Sequence, residues 1–282
     1  MRILILGRGK SGTTALLYKI AAGLPNCEAF SGGHPGKNTD AFENAVYKHT
    51  YSERKGKTFD VYHEHVRDQR YDRMVWMARD PRDVAVSRML FRWHKGPKGN
   101  WKQYRTHLEL VQKKERDPQS VPFHVLCAYI GHDRWPLTKE EVFEDERLRH
   151  ERMSAFVKSL GENWFLFKYE DMIRGDFQAL SRYLGFAVQN DAEVPETNVK
   201  SKVARKKAYG DWRNWFTPDD AALFRPAYEI YMQTIGYDVD DWSLPDHPVI
   251  EPHFSSEYMK RLVRENTSNP LRRLMGRLSG AL

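Results

Sequence analysis

The sequence predicts an α/β protein, a three-layer sandwich with a parallel sheet at its centre. Three observations carry this. Ile3 to Leu6 is an unbroken run of branched apolar residues, the pattern of a short strand buried on both faces. Met74-Val-Trp-Met-Ala78, apolar throughout, reads as a central strand, and Trp164-Phe-Leu-Phe-Lys-Tyr169 as a further one. Helical patterns alternate with these strands, which argues for a parallel sheet rather than a bundle or an all-β fold. In such sheets ligands sit beyond the C-terminal ends of the strands.

The first strand stops at Gly7-Arg-Gly9, where the chain can turn with positive φ and bring its backbone close to a ligand. Lys10 to Thr14 then leads into a helical pattern of Ala15, Leu16, Leu17, Ile20 and Ala21. Strand, glycine turn and helix start make a cradle for an anion, because N–H groups, the positive end of the helix dipole and Lys10 converge. The hydroxyls of Ser11, Thr13 and Thr14 add donors. A triphosphate-binding loop needs a glycine five positions before its Gly-Lys pair, and here that position is Leu4, inside the strand. The short turn suits a ligand with one anionic group at this end.

Further along, Leu24-Pro25 ends the helical pattern and Ser31-Gly-Gly-His-Pro-Gly-Lys37 reads as a loop. Phe59 to Val66 alternates as a second strand, and Met74 to Ala78 is the third. Asp80-Pro81 opens a helix with Asp80 as N-cap, Pro81 in the first turn and Asp83 at the capping-box position. From Arg92 to about Arg152 the chain is charged and aromatic, as expected of helices and loops laid over a sheet. A helix from Met153 to Leu160, the fourth strand Trp164 to Tyr169 and a helix from Phe177 to Leu184 follow. A basic run, Lys200 to Lys207, precedes Gly210-Asp-Trp-Arg-Asn-Trp-Phe-Thr-Pro218, and a helix from Pro218 to about Thr234 closes the core. The expected organisation is one domain over 1–243, with 91–152 as an insertion that shapes a substrate pocket, and an extension over 244–282. In that extension Pro245, Pro248 and Pro252 mark a linker. Leu271, Leu274, Met275 and Leu278 form the apolar face of a short basic helix that docks back on the domain or lies on an anionic membrane surface.

The net charge of +7 over 282 residues points to an anionic partner. Cys27 and Cys127 are far apart, which argues against a disulfide framework or a cysteine metal site. No apolar run is long enough to span a bilayer and no leader pattern precedes the first strand, so a cytoplasmic setting is expected.

Lys10-Ser-Gly-Thr-Thr14 after a short turn resembles the 5′-phosphosulfate loop of sulfotransferases that use 3′-phosphoadenosine 5′-phosphosulfate (PAPS). Arg79-Asp-Pro-Arg-Asp-Val-Ala-Val-Ser87 resembles the 3′-phosphate segment of the same family. Val203-Ala-Arg-Lys-Lys-Ala-Tyr-Gly-Asp-Trp-Arg-Asn-Trp-Phe-Thr217 is similar to its C-terminal segment, Arg-Lys-Gly, two residues, Gly-Asp-Trp-Lys-Asn, one residue, Phe-Thr. Tyr169-Glu-Asp-Met172 matches a strand-end motif whose tyrosine touches the adenine. These segments span residues 1 to about 237 in family order.

The resemblance implies a P-loop-like phosphosulfate-binding loop made of Arg8, Gly9, Lys10, Ser11, Gly12, Thr13 and Thr14. It implies Arg79, Ser87 and Arg205 on the 3′-phosphate, with Lys206 and Lys207 nearby. Lys207 stands where the family has glycine, and Ala15 where it often has an aromatic residue against adenine. In the family a strand end of Lys-Thr-His type supplies the general base. His63-Glu-His65 stands at the matching place, with His65 the first choice, His63 the second and Glu64 the third. The implied activity is in-line transfer of a sulfuryl group from PAPS to an acceptor hydroxyl or amine, with Lys10 stabilising the leaving phosphate and no metal. The acceptor would be a small molecule, a glycan or a lipid, with no nucleic-acid partner expected and, if the tail does not dock back on the domain, a peripheral membrane contact through 271–278. Two other readings compete. A nucleotide-dependent kinase needs a longer loop and a magnesium carboxylate, for which Asp80 is the nearest residue. A non-enzymatic basic module would bind nucleic acid or anionic lipid through Lys200 to Lys207 and the arginine-rich tail.

Overall fold

The structure, a computed structural model, describes residues 1–31, 42–51, 71–130, 136–196 and 208–266. The chain divides into two compact units, Met1–Asp80 with Arg152–Lys200, and Pro81–Glu151 with Ser201–Leu282.

The first unit carries the sheet. Five parallel strands, β1 (Arg2–Arg8), β2 (Cys27–Ser31), β3 (Asn44–Tyr51), β4 (Arg73–Ala78) and β5 (Trp164–Lys168), lie in the order β2-β3-β1-β4-β5. Side-chain alternation gives the sheet two apolar faces. Ile3, Ile5, Val46, Val75, Met77 and Phe167 pack with Leu16, Leu17 and Ile20 of α1 (Thr13–Ala21), and with Leu180 and Leu184 of a further helix described below. On the other face, Leu4, Ala45, Tyr47, Tyr71 and Met74 form a second cluster. There Phe156 packs its ring against Tyr51 and Trp76, with centroids 5.0 and 5.4 Å apart. Helix, sheet and helix therefore make the predicted three layers within this unit alone.

In chain order the remaining helices are α2 (Pro81–Phe91), α3 (Trp101–Arg116), α4 (Phe123–Cys127), α5 (Lys139–Lys158), α6 (Tyr169–Arg174), α7 (Gln178–Leu184), α8 (Pro218–Thr234) and α9 (Ser256–Asn266). The face-covering Phe156 belongs to the C-terminal turns of α5, and Leu180 and Leu184 to α7.

The second unit is helical. Val86, Met89 and Leu90 of α2, Tyr104, Leu108 and Val111 of α3, Phe224 and Tyr228 of α8, and Met259, Leu262 and Val263 of α9 share one core with Trp93, Trp212 and Trp215. α8 starts with a full capping box: Asp220 N–H donates to Thr217 Oγ1, Thr217 N–H donates to Asp220 Oδ2, and Pro218 occupies the first turn.

Several expectations need correcting. β1 runs on through Gly7 and Arg8 rather than ending at Leu6. β2 and β3 were not expected as strands, because β3 mixes Lys48, His49 and Thr50 into its apolar run. The helix expected at Met153–Leu160 is the end of a much longer one that begins at Lys139. After the prolines, α9 returns to the core of the second unit. The strand expected at Phe59–Val66, the basic run Lys200–Lys207 and the tail 271–278 lie outside the described residues. No helix among the described residues is long and apolar enough to cross a membrane.

Candidate functional site

β1 is the middle strand, and the chain leaves it toward β2 on one side while β4 pairs on the other. Such a reversal opens a crevice at the strand ends, the usual ligand position in a parallel sheet. The Arg8–Thr14 turn fills that place.

Its conformation follows from two glycines and one strained lysine. A Cβ on Gly7 would stand 2.7 Å from the Met77 carbonyl oxygen of β4 and 2.8 Å from Ser11 Oγ, so only glycine lets the turn fold back against the sheet. Gly12 has φ +91° and a Cβ there would stand 2.5 Å from Tyr169 Cδ2. Between them Lys10 takes φ +79°, a left-handed conformation that side-chain-bearing residues adopt at a cost. Ser11 N–H and Oγ–H both donate to the Arg8 carbonyl, at 3.1 and 2.7 Å, and close the turn. Gly12 is the N-cap of α1 and no side chain caps it, so the first-turn N–H groups and the dipole face whatever occupies the cradle.

Cations gather around this turn. Arg79, just past β4, is buried and donates from Nη1 to the Lys10 carbonyl at 3.1 Å. Its guanidinium lies 4.1 Å from the centroid of the Tyr169 ring. Asp80 N–H donates to Glu170 Oε1 at 3.3 Å and links the ends of β4 and β5. From the other side Lys48 of β3, only 2% exposed, donates from Nζ to Thr14 Oγ1 at 3.4 Å. Sequence reading missed Lys48. Its signal was present as a lone lysine closing the apolar run Ala45-Val-Tyr47, inside a strand that pairs with β1 and opposite Ile5. His49 follows it, half-buried and on the opposite strand face.

Of the residues singled out in the sequence, the structure brings together Arg8, Gly9, Lys10, Ser11, Gly12, Thr13, Thr14, Arg79 and Tyr169, all in the first unit. Tyr169 is buried beneath the turn and the guanidinium. Ser87 is buried on α2 in the second unit. His63, Glu64, His65, Arg205, Lys206 and Lys207 lie outside the described residues.

The end of the expected C-terminal segment is anchored within the second unit. Asp83, expected to cap its own helix, accepts from Gly210 N–H at 2.6 Å and from Trp212 N–H at 3.1 Å. The guanidinium of Arg82 lies 4.0 Å from the Trp212 ring centroid and 4.8 Å from that of Trp242, and it donates to the Asp241 carbonyl. Gly210 has φ +82°, so the turn that Asp83 closes needs glycine.

No group of three or more His, Cys, Asp or Glu able to hold a metal ion occurs among the described residues. Cys27 and Cys127 are free thiols. Compared with known proteins, the chain matches no family model and no curated sequence.

Proposed function

We propose that this protein is a sulfotransferase that moves a sulfuryl group from PAPS to an acceptor hydroxyl or amine. One observation carries the reading: a short, uncapped turn-to-helix cradle at the end of the central strand, tied by its Lys10 carbonyl to Arg79 from the next strand. The cradle fits a terminal phosphosulfate on its donors, since Lys10, Lys48, the Thr13 and Thr14 hydroxyls and the first-turn N–H groups are all neutral or cationic. Gly7 and Gly12 leave no room for side chains in the turn, which keeps its backbone open to a close ligand.

Bound there, PAPS supplies an activated sulfuryl group on a phosphate leaving group. Lys10, Lys48 and the α1 N–H groups hold the 5′-phosphate and stabilise negative charge as it grows on the bridging oxygen. Arg79 holds the 3′-phosphate, a role the family resemblance also gives to Ser87 and Arg205, and this selects against ATP. A histidine takes the acceptor proton: His65 first, then His63, with Glu64 the carboxylate option and His49 the described histidine closest along the chain to Lys48. The acceptor is a small molecule, glycan or lipid, nucleic acid is no partner, and the setting is cytoplasmic.

The test is transfer of radiolabelled sulfate from PAPS to a panel of phenols, sterols, glycans and lipids, with wild type compared with Lys10→Ala. The expected result is labelled product from wild type, reduced roughly 10²–10³-fold in Lys10→Ala. Absence of binding to 3′-phosphoadenosine 5′-phosphate, together with magnesium-dependent phosphate transfer from ATP, would overturn the reading in favour of a kinase. Salt-resistant binding to RNA or acidic vesicles alone would favour a binding module.

A further inference from the structure

Three segments distant in sequence meet on one aromatic ring. Tyr169 opens α6 directly after β5 and is buried. Gly12 is seated on its edge, since a Cβ there would stand 2.5 Å from Cδ2 and 2.9 Å from Cε2. The guanidinium carbon of Arg79 lies 4.1 Å from the ring centroid, face-on. From that position Arg79 Nη1 reaches the carbonyl of Lys10 at 3.1 Å.

Lys10 is the residue in this turn whose backbone costs most to hold, with φ +79° and a side chain. Such a conformation persists when surrounding contacts over-determine it. Two of those contacts are visible: the Arg79 bond to the strained residue's own carbonyl, and the seat of Gly12 two residues on. Both depend on the Tyr169 ring. The ring orients the guanidinium by cation–π attraction and sets the height of the turn by packing.

We infer that Arg79 and Tyr169 are positioning residues that hold Lys10 in its left-handed conformation, so that the cradle is formed before a ligand arrives. The reading above supplies only the identity of that ligand. Arg79 thereby joins the two ends of the site. The group assigned to the 3′-phosphate also fixes the backbone of the lysine at the 5′ end, so contact at one end bears on the geometry of the other. Tyr169 acts through its ring and not its hydroxyl, and lysine cannot replace Arg79 because an ammonium neither stacks flat nor bridges ring to carbonyl.

The experiment is amide hydrogen exchange on the ligand-free full chain, with residues 9–13 compared with Ile3 to Leu6 as an internal reference for global stability. Losing an oriented cation–π contact of this kind speeds local opening by at least about tenfold. In Tyr169→Leu and Arg79→Lys, residues 9–13 should exchange that much faster while Ile3 to Leu6 stay slow, and Tyr169→Phe should recover the slow exchange of the turn. Unchanged turn exchange in Arg79→Lys and Tyr169→Leu would overturn the inference, as would Tyr169→Phe behaving like Tyr169→Leu. If Tyr169→Leu does not fold, Arg79→Lys, which keeps the positive charge, decides alone. Titration with 3′-phosphoadenosine 5′-phosphate runs in parallel. No binding by wild type sinks the sulfotransferase reading and leaves the exchange result standing. Binding by wild type with unaltered exchange in the variants sinks the brace and leaves the reading.

Discussion

Burying a lysine strips water from an ammonium group, a cost that a folded chain bears where the charge has a use or a partner. Lys48 is 2% exposed and donates to the Thr14 hydroxyl at 3.4 Å, beside the cradle. On the function proposed above, its charge serves the 5′-phosphate. Lys48→Met keeps the stem and drops the charge, so affinity for 3′-phosphoadenosine 5′-phosphate should fall by about tenfold or more, while the denaturant midpoint holds or rises. Calorimetric titration and urea unfolding on the same sample check both halves; unchanged affinity with a lower midpoint would make Lys48 structural. Gly7 is the opposite case, a residue defined by what it lacks. Its missing Cβ would collide with the Met77 carbonyl at 2.7 Å, and a strand backbone paired in register cannot step aside cheaply. Gly7→Ala should lower unfolding free energy by about 1–3 kcal/mol, measured by chemical denaturation.

At the scale of elements, the second unit holds its turns by carboxylates borrowed across the fold. Asp83 of α2 satisfies two N–H groups of the 210–212 turn, whereas Thr217 caps only its own helix, α8. Asp83→Ala leaves those donors without their acceptor and should cost about 1–3 kcal/mol. Thr217→Ala should cost about 1 kcal/mol, so denaturation midpoints should fall further for the first variant. This borrowing also explains what the sequence could and could not reveal. Asp83 stands at a capping-box position, and nothing local says that its carboxylate turns to Gly210. β1, β4, β5 and α8 were legible because each is a dense apolar run or a capped periodic one. β3 was not, because a strand interrupted by Lys48, His49 and Thr50 before Tyr51 reads as a polar loop until its pairing with β1 is known. α9 carries Tyr258, Met259, Leu262 and Val263 at helical spacing, yet the prolines before it suggested a linker. At the site, the glycines and Lys10 could be read from spacing, and Arg79 and Tyr169 from the resemblance; the seat of Gly12 and Arg79 on the Tyr169 ring could not, since packing under a turn leaves no pattern in sequence.

For the molecule as a whole, two buried bases of the second unit each add a slope to the way stability answers to pH. His107 is fully buried, accepts from Trp93 Nε1 on its Nδ1 at 2.9 Å and stacks on Tyr129. Burial, with Arg92 nearby, pushes its pKa from 6.5 down to about 3. Lys114 donates to the carbonyls of Pro118 and Val121 at 2.8 and 2.6 Å. Burial lowers its pKa from 10.5 to about 8, partly offset by Asp220 and Asp117. In both cases the unfolded chain takes up the proton first as pH falls. Stability is therefore full above the unfolded value and is lost on the way down to the folded one: from pH 10.5 to about 8 for Lys114, and from 6.5 to about 3 for His107. The steepest slope one group can give is about 1.4 kcal/mol per pH unit. Glu115, whose carboxyl burial holds above its ordinary range, pulls the other way on the acid side, so a bare acid titration mixes the two. The difference between wild type and His107→Gln separates them, because glutamine can accept from the Trp93 indole and has no proton to gain. From pH 7 to pH 4 the unfolding free energy should fall less in His107→Gln than in wild type, and the difference between wild type and Lys114→Met should grow between pH 8 and 10.5, since the opposing slopes of Cys27, Cys127 and Tyr104 are common to both. Parallel curves for wild type and His107→Gln would mean that the imidazole meets water in the folded state, which its stacking under Tyr129 and its bond to Trp93 argue against.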